Sequence, residues 1–230
     1  MKKVIVFTGA GVSAESGIKT FRGDDGLWEN HRIEDVATPQ AWNANRKLVL
    51  EFYNQRRKQL QAVKPNAAHL AIANLEKYFS VHVITQNVDD LHERAGSSSV
   101  LHLHGELLKA RSTVDPRLIY TLDDWELKEG DKCEKGSQLR PHIVWFGEAV
   151  PAMEEAILMT QSADLFIVIG TSLAVYPAAS LVHYAINATE KYLIDPIADL
   201  PYDAQDFKVI KSTAVAGMSD LFNKLIIDYV

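Results

Sequence analysis

Cysteine is almost missing from this chain of 230 residues. The single one, Cys133, excludes an internal disulfide and any metal site built from several thiolates. Long apolar runs are missing as well. No stretch approaches the roughly 18 uninterrupted apolar residues that a membrane-spanning helix needs, and the run in MKKVIVFTGAG is too short for a signal peptide. There is no block of Lys and Arg. With 24 basic against 30 acidic residues the formal charge is −6, which argues against a dedicated nucleic-acid binder and leaves room for basic partners such as lysine-rich peptides. The composition, 47% hydrophobic and 23% charged, is ordinary for a globular chain and removes disordered, collagen-like and coiled-coil readings. The expectation is a soluble cytoplasmic protein of one large or two small domains.

What is present is a series of short apolar runs that end in turn or polar residues. Val4 to Phe7 runs into Thr8-Gly9-Ala10-Gly11, and Val81 to Ile84 into Thr85-Gln86-Asn87. Val100 to His104 meets Gly105-Glu106, and Ile143 to Phe146 meets Gly147-Glu148. Leu165 to Ile169 meets Gly170-Thr171-Ser172, and Tyr192 to Ile194 meets Asp195-Pro196. Runs of this length, rich in Val and Ile, read as strands covered on both faces. Helical stretches lie between them: Ala67 to Tyr78, Pro151 to Thr160 and Pro177 to Ala188, each with a start signal. The tail carries Met218, Leu221, Phe222, Leu225 and Tyr229 as one amphipathic stripe. The alternation predicts an α/β fold with a doubly wound, Rossmann-like parallel sheet, whose ligands bind beyond the carboxyl ends of the strands. Two stretches break it. Asp35 to Val63 looks helical throughout, and Leu107 to His142 holds 14 charged residues in 36 with little periodicity. These predict a smaller module from two insertions, 35–63 and 107–142, set against a main domain of 1–34, 64–106 and 143–230.

Four motifs carry chemistry. Gly9-Ala10-Gly11-Val12-Ser13-Ala14 fits the G-x-G-x-x-G/A pattern, in which glycines let the backbone approach a pyrophosphate. A plain strand-to-helix turn explains the same residues, and the second strand with its terminal acid about 20 residues on is missing. The chain instead continues as a Gly-rich loop through Phe21, Arg22 and Trp28, which suits a lid over a charged ligand. Thr85-Gln86-Asn87-Val88-Asp89 offers amides and a carboxylate to ribose hydroxyls and a carboxamide, although a helix N-cap at Asn87 or Asp89 accounts for it equally well. In Leu101-His102-Leu103-His104-Gly105 the two histidines share one strand face. His104, at the end, is a candidate general base, and His102 reads as structural. Arg140 to Glu148 reads as a core strand with a turn, or as an edge that pairs with an extended peptide.

Taken together, GAGxSxxSGIxxFR, TQNxDxLHxxAG, HGE, VxFGE and GTS, in this order, resemble the sirtuin family of NAD-dependent protein deacylases over nearly the whole chain. The likeness is greatest to the bacterial branch that contains desuccinylase-type members, marked by Y-x-x-R, here Tyr53-Asn54-Gln55-Arg56. The residue pattern supports that branch on its own. Val49, Phe52, Tyr53, Arg56 and Leu60 share one predicted helix face, so Arg56 stands where a hydrophobe is expected. A guanidinium there is costly unless it meets an anion, and with a phenol beside it, it suits the carboxylate of a succinyl or malonyl group. A snorkelling arginine at the stripe's edge is the plainer reading.

The resemblance implies that NAD lies across the crevice. Gly9, Ala10, Gly11 and Ser13 would surround its phosphates, and Gly170, Thr171, Ser172, Asp195 and Ala214 would lie on the adenosine side. Phe21, Arg22 and Trp28 belong to the lid, and Gln86, Asn87 and Asp89 would hold the nicotinamide ribose and carboxamide. The acylated lysine of a protein would enter between the modules. There Tyr53 and Arg56 would meet its acyl group, and Val144, Trp145, Phe146 and Gly147 would pair with its backbone. His104 would act as base toward a ribose hydroxyl, giving nicotinamide, free lysine and an O-acyl-ADP-ribose. The same superfamily admits an NAD hydrolase or ADP-ribosyltransferase as the alternative, and a catalytically silent NAD-binding module is another. No nucleic-acid or membrane partner is expected.

Two departures stand out. Sirtuins commonly carry four zinc-binding cysteines in the small module, whereas this chain has Cys133 alone and Ser112 where the first would fall. The expectation is a module without zinc, held by Leu118, Ile119, Tyr120, Leu122, Trp125 and Leu127. Asp195 stands where the family often has Asn. It still accepts hydrogen bonds from ribose hydroxyls and disfavours a 2′-phosphate.

Overall fold

The computed structural model describes residues 1–19, 27–28, 30–197 and 206–230. In chain order the elements begin with β1 (Lys3–Thr8), α1 (Gly11–Ala14), β2 (Leu27–Trp28), β3 (His31–Arg32), α2 (Ile33–Val36), α3 (Pro39–Ala44), α4 (Arg46–Ala62) and α5 (Ala67–Leu75). They continue with β4 (Ser80–Thr85), α6 (Leu91–Ala95), β5 (Val100–His102), β6 (Gly105–Ser112), β7 (Ile119–Thr121) and β8 (Leu139–Ile143). The last are α7 (Met153–Gln161), β9 (Leu165–Ile169), a 3₁₀ helix (Ala178–His183), β10 (Glu190–Ile194), β11 (Lys208–Ile210) and α8 (Ala214–Tyr229). No helix among the described residues is long and apolar enough to cross a membrane.

Six strands form one parallel sheet in the order β11-β10-β9-β1-β4-β5. The order reverses beside β1: the chain moves out through β4 and β5, then returns to β9 on the other side. Such a switch point opens a crevice at the strands' carboxyl ends. Successive side chains of β1 feed two cores. Val4 and Val6 join Ile72, Leu75, Met218 and Leu221 from α5 and α8. Ile5 and Phe7 join Phe166, Leu181 and Val182 on the opposite face. Both faces are covered, which is why these strands show no polar alternation.

The second unit pairs α2, α3 and α4 with an antiparallel sheet in the order β7-β6-β8. α4 starts where the Asn45 side chain accepts from the Leu48 amide over 3.1 Å. Its buried face, Val49, Phe52, Tyr53 and Leu60, packs with Trp42, Leu107, Leu127, Leu139 and Trp145.

The structure corrects several expectations. The strand expected at Ile143 to Phe146 is instead β8, ending at Ile143. Pro141 sits in that edge strand beside an irregularity in the ladder, where a missing N–H costs little. The run Val100 to His104 leaves the main sheet at His102, because β6 begins at Gly105 and turns into the other sheet. The helix expected over Pro177 to Ala188 is a shorter 3₁₀ segment, and Ala67 to Tyr78 is helical only to Leu75. The boundaries drawn at 106/107 and 142/143 both fall inside strands, β6 and β8. Of the residues expected to hold the small module, Leu127 is buried and Leu118, Tyr120 and Leu122 pack against the cluster, but Ile119 is exposed.

Candidate functional site

The carboxyl ends of β1, β4, β9 and β10 open into a cleft of about 450 Å³ that continues between the main sheet and the small module. Its floor is the meeting of two glycine turns. Gly11 donates from its amide to the Gly170 carbonyl over 2.8 Å. A Cβ on Gly11 would fall 2.6 Å from the Gly170 Cα, and Gly170 has φ +62° with its own Cβ position 2.4 Å from the Val12 nitrogen. Side chains are excluded from both places, so the two turns pack backbone against backbone at the base of the cleft. Leu173, just beyond, also holds a positive φ of 55°, and its amide donates to Thr171 Oγ1 over 3.2 Å. Strain at such a loop is characteristic of a working site.

A buried polar network stands behind this floor. Asn87 Nδ2 donates to Ser13 Oγ over 3.0 Å, and Ser13 Oγ donates to Asp89 Oδ2 over 3.0 Å. Gln86 Nε2 donates to Thr171 Oγ1 over 3.0 Å, tying the end of β4 to that of β9. Asp89 is buried, and burial pushes its carboxyl up to about 6 against the pull of the Leu91 amide and the Ser13 hydroxyl. Two buried histidines close the network. His92 Nε2 lies 3.1 Å from Thr8 Oγ1, and the His69 and His92 rings meet edge to face at 4.8 Å. Burial depresses both, His69 to about 4.

His104 sits in the bend between β5 and β6. Its Nδ1 is 3.0 Å from the Gln86 carbonyl oxygen. A carbonyl only accepts, so Nδ1 carries the proton and Nε2 is left as the acceptor. Burial lowers its pKa below the ordinary imidazole value, outweighing the opposite pull of that carbonyl. A neutral imidazole with a basic nitrogen in a cleft is able to serve as a general base. His102 has the other fate. Its ring is clamped between the Asn87 carbonyl at 2.9 Å and Glu93 at 2.7 Å. Burial alone would lower it, but Glu93 outweighs burial and raises it.

On the small-module side, Tyr53 and Arg56 project from α4 into the same cleft. Tyr53 is fully buried, and Trp145 Nε1 donates to its oxygen over 3.0 Å. The next segment is irregular and ends in a turn that the Glu148 amide closes on the Trp145 carbonyl: the Val144 amide donates to the His104 carbonyl, and the Phe146 amide to that of Ala37. The Trp145 amide donates to Glu148 Oε2 over 2.8 Å. Three amides of the expected peptide-pairing edge are therefore used internally.

Every expected site residue among those described lines this one cleft: Gly9, Ala10, Gly11, Ser13, Trp28, Gln86, Asn87, Asp89, His104, Gly170, Thr171, Ser172, Asp195, Ala214, Tyr53, Arg56, Val144, Trp145, Phe146 and Gly147. Phe21 and Arg22 lie outside the described residues. Sequence reasoning missed Glu148, although VWFGE ends on it. Burial would raise its carboxyl, but the Arg140 guanidinium at 2.7 Å and the Trp145 amide lower it. It also missed Arg57, the fully buried neighbour of Arg56, which donates to the carbonyls of Trp125 and Leu107 and to Asn54. In the small module Cys133 Sγ lies 3.3 Å from Ser112 Oγ and 3.1 Å from Ser137 Oγ. No cluster of three His, Cys, Asp or Glu among the described residues is arranged to hold a metal ion.

The cleft fits a dinucleotide. The glycine floor admits a diphosphate against backbone, and Asp195 at the end of β10 and Asn87 with Asp89 at the end of β4 flank it with ribose acceptors and a donor.

Comparison with known proteins agrees. The model of the Sir2 family matches residues 9–177. An NAD-dependent protein deacylase of Helicobacter pylori is 57% identical over 228 residues, covering 98% of each chain. One of Bacteroides thetaiotaomicron is 52% identical over 231 residues, covering 98% of this chain and 99% of that protein. A solved Sir2 homolog–NAD complex superposes with a TM-score of 0.89 at 39% identity, covering 100% of this chain and 91% of the other.

Proposed function

The chain belongs to the Sir2 family and is an NAD-dependent protein deacylase, and we propose that it acts on lysines whose acyl group ends in a carboxylate, succinyl or malonyl, as well as on acetyl-lysine. The observation that carries the acidic-acyl reading is the placement of Tyr53 and Arg56 on one wall of the cleft that also holds His104. A guanidinium fork beside a phenol recognises a carboxylate, and Ile143, Leu107 and Leu60 line the same cleft.

When bound, NAD would supply an electrophilic sugar carbon with neutral nicotinamide as its leaving group and the lysine's acyl oxygen as its nucleophile, water completing the release of lysine. The chain's own residues then have separable tasks. Gly9, Ala10, Gly11 and Ser13 face the diphosphate, and Gly170, Thr171, Ser172, Asp195 and Ala214 face the adenosine. Gln86, Asn87 and Asp89 hold the nicotinamide ribose and carboxamide, with Trp28 lining the same cleft. Gly147 and the Val144 carbonyl pair with the peptide backbone, since the amides of 144, 145 and 146 are engaged. His104 Nε2 takes the proton of a ribose hydroxyl. Positioning and the exclusion of water supply much of the rate. The small module is read as free of zinc: Ser112, where the first cysteine would fall, lies against Cys133, which also meets Ser137.

Side-by-side kinetics with NAD on acetyl-, succinyl- and malonyl-lysine peptides test this reading. Arg56→Met is expected to lower kcat/KM on succinyl-lysine about 10- to 100-fold more than on acetyl-lysine, the range for a lost hydrogen bond to a charged group. Equal losses on both peptides would remove the carboxylate-receptor role.

A further inference from the structure

Tyr53 has one hydroxyl proton, and the structure constrains where it goes. Trp145 Nε1–H lies 3.0 Å from the Tyr53 oxygen, and an indole nitrogen donates only. The Tyr53 oxygen is therefore the acceptor of that bond, and its own O–H must find a different direction. Among the described residues Trp145 is the hydrogen-bond partner of this hydroxyl. The ring is fully buried behind the cleft wall that it helps to line, so that wall is the direction left to the proton. Burial raises the phenol's pKa well above its ordinary value, which keeps the proton on at any working pH.

Trp145 is itself held on all sides. Its ring is buried, the Arg140 guanidinium lies over it 3.3 Å from the centroid, and the Trp42 ring meets it at 5.8 Å. Its backbone amide donates to Glu148 Oε2, and Glu148 in turn takes Arg140 over 2.7 Å and Arg111 over 3.0 Å. The indole cannot turn away from Tyr53 without breaking this set. A phenylalanine at the same place would keep a ring against Arg140 but leave part of the slot empty and bring no N–H.

We infer that Trp145 is a specificity-positioning residue: its indole N–H fixes the Tyr53 hydroxyl as a donor aimed at the acyl group, so that the cleft discriminates an acidic acyl chain from acetyl. The inference rests on the proposed acidic-acyl reading and names what sets the phenol's polarity within it. Trp145 lines the same cleft, and its effect on selectivity runs through its bond to Tyr53. An acetyl group presents no oxygen at the phenol, so the oriented donor matters for the longer acidic chains and little for acetyl. Without the indole the hydroxyl rotates freely, and part of its bond to the carboxylate is lost to the alternatives.

The test is a double-mutant cycle on the full-length protein with NAD, read as kcat/KM on succinyl- and acetyl-lysine peptides. Trp145→Phe is expected to lower the succinyl-to-acetyl ratio about tenfold, the scale of one hydrogen bond. In the Tyr53→Phe background the same change is expected to leave the ratio where Tyr53→Phe alone puts it, because the indole acts through the hydroxyl. Losses that multiply in the double variant, or an equal fall on both peptides in Trp145→Phe, would overturn the inference. If Arg56→Met and Tyr53→Phe lower the ratio while Trp145→Phe does not, the acidic-acyl reading stands and this inference falls. If Arg56→Met does not lower the ratio, the reading itself falls and takes this inference with it. Should Trp145→Phe fail to fold, benzothienylalanine at position 145, which keeps both rings and replaces N–H by sulfur, gives the same readout.

Discussion

His104 donates from Nδ1 to the Gln86 carbonyl oxygen over 3.0 Å, and this one bond leaves Nε2 as the ring's acceptor. Because burial lowers the imidazole pKa, the neutral form prevails at lower pH than for an exposed histidine. Turnover should fall only as pH drops through that lowered value, placing the acid limb of the kcat profile below about 6.5. Asp89 titrates nearby, at about 6, so the limb is measured again in Asp89→Asn, where it should persist. A limb centred above 7 would contradict the assignment.

Asp89 also makes a stability prediction. Its pKa is raised from 3.8 to about 6, so the folded state keeps a proton in that window which the unfolded chain has lost. The stability this contributes is full below the window and is lost as pH rises through it. Asp89→Asn removes the penalty and should stabilise the protein by about 1–3 kcal/mol at pH 7, with no gain at pH 4, while slowing turnover. Thermal melts at the two pH values check it. A variant less stable than its parent at pH 7 would count against the buried carboxylate.

Arg57 joins α4 to the small-module sheet through the carbonyls of Trp125 and Leu107 and the side chain of Asn54. Arg57→Met leaves those buried acceptors unmet and should cost about 3 kcal/mol in denaturant unfolding. Arg57→Lys should recover only part, lacking the planar fork. A loss under about 0.5 kcal/mol, the scale of an ordinary surface change, would show that the residue is dispensable.

Much of the site was legible because it sits at strand ends, where an apolar run stops at a polar residue. Gly9 to Ser13, Gln86 to Asp89, Gly170 to Ser172 and Asp195 all follow that rule, and the parallel sheet gathers them without further information. The small module was less legible. Its sheet has edge strands with Pro141 and a bulge, so period-2 alternation is broken. Its buried polar residues are paired by partners far away in sequence. Arg57 looks like the solvent-facing neighbour of Arg56 until the Trp125 and Leu107 carbonyls are brought to it across 68 and 50 residues. Ile119 looks like core until β7 is seen to be an edge strand. The shift of strand from Ile143–Phe146 to Leu139–Ile143 has the same origin, because Arg140 is buried only by virtue of Glu148 and Trp145.

The Ser112–Cys133–Ser137 cluster predicts a module indifferent to chelators. Elemental analysis of purified protein should find no stoichiometric zinc, and EDTA should leave the melting temperature unchanged. One zinc per chain, or a chelator-induced loss of several degrees, would contradict it.

The account's central claim is that His104 turns the sugar of NAD into the acceptor of the lysine's acyl group. Mass spectrometry of the products from a succinyl-lysine peptide and NAD tests it most directly. The expected result is free lysine, nicotinamide and O-succinyl-ADP-ribose in equal amounts, with none formed by a His104→Ala variant that still binds NAD. Plain ADP-ribose beside an untouched peptide, or full turnover by His104→Ala, would contradict it.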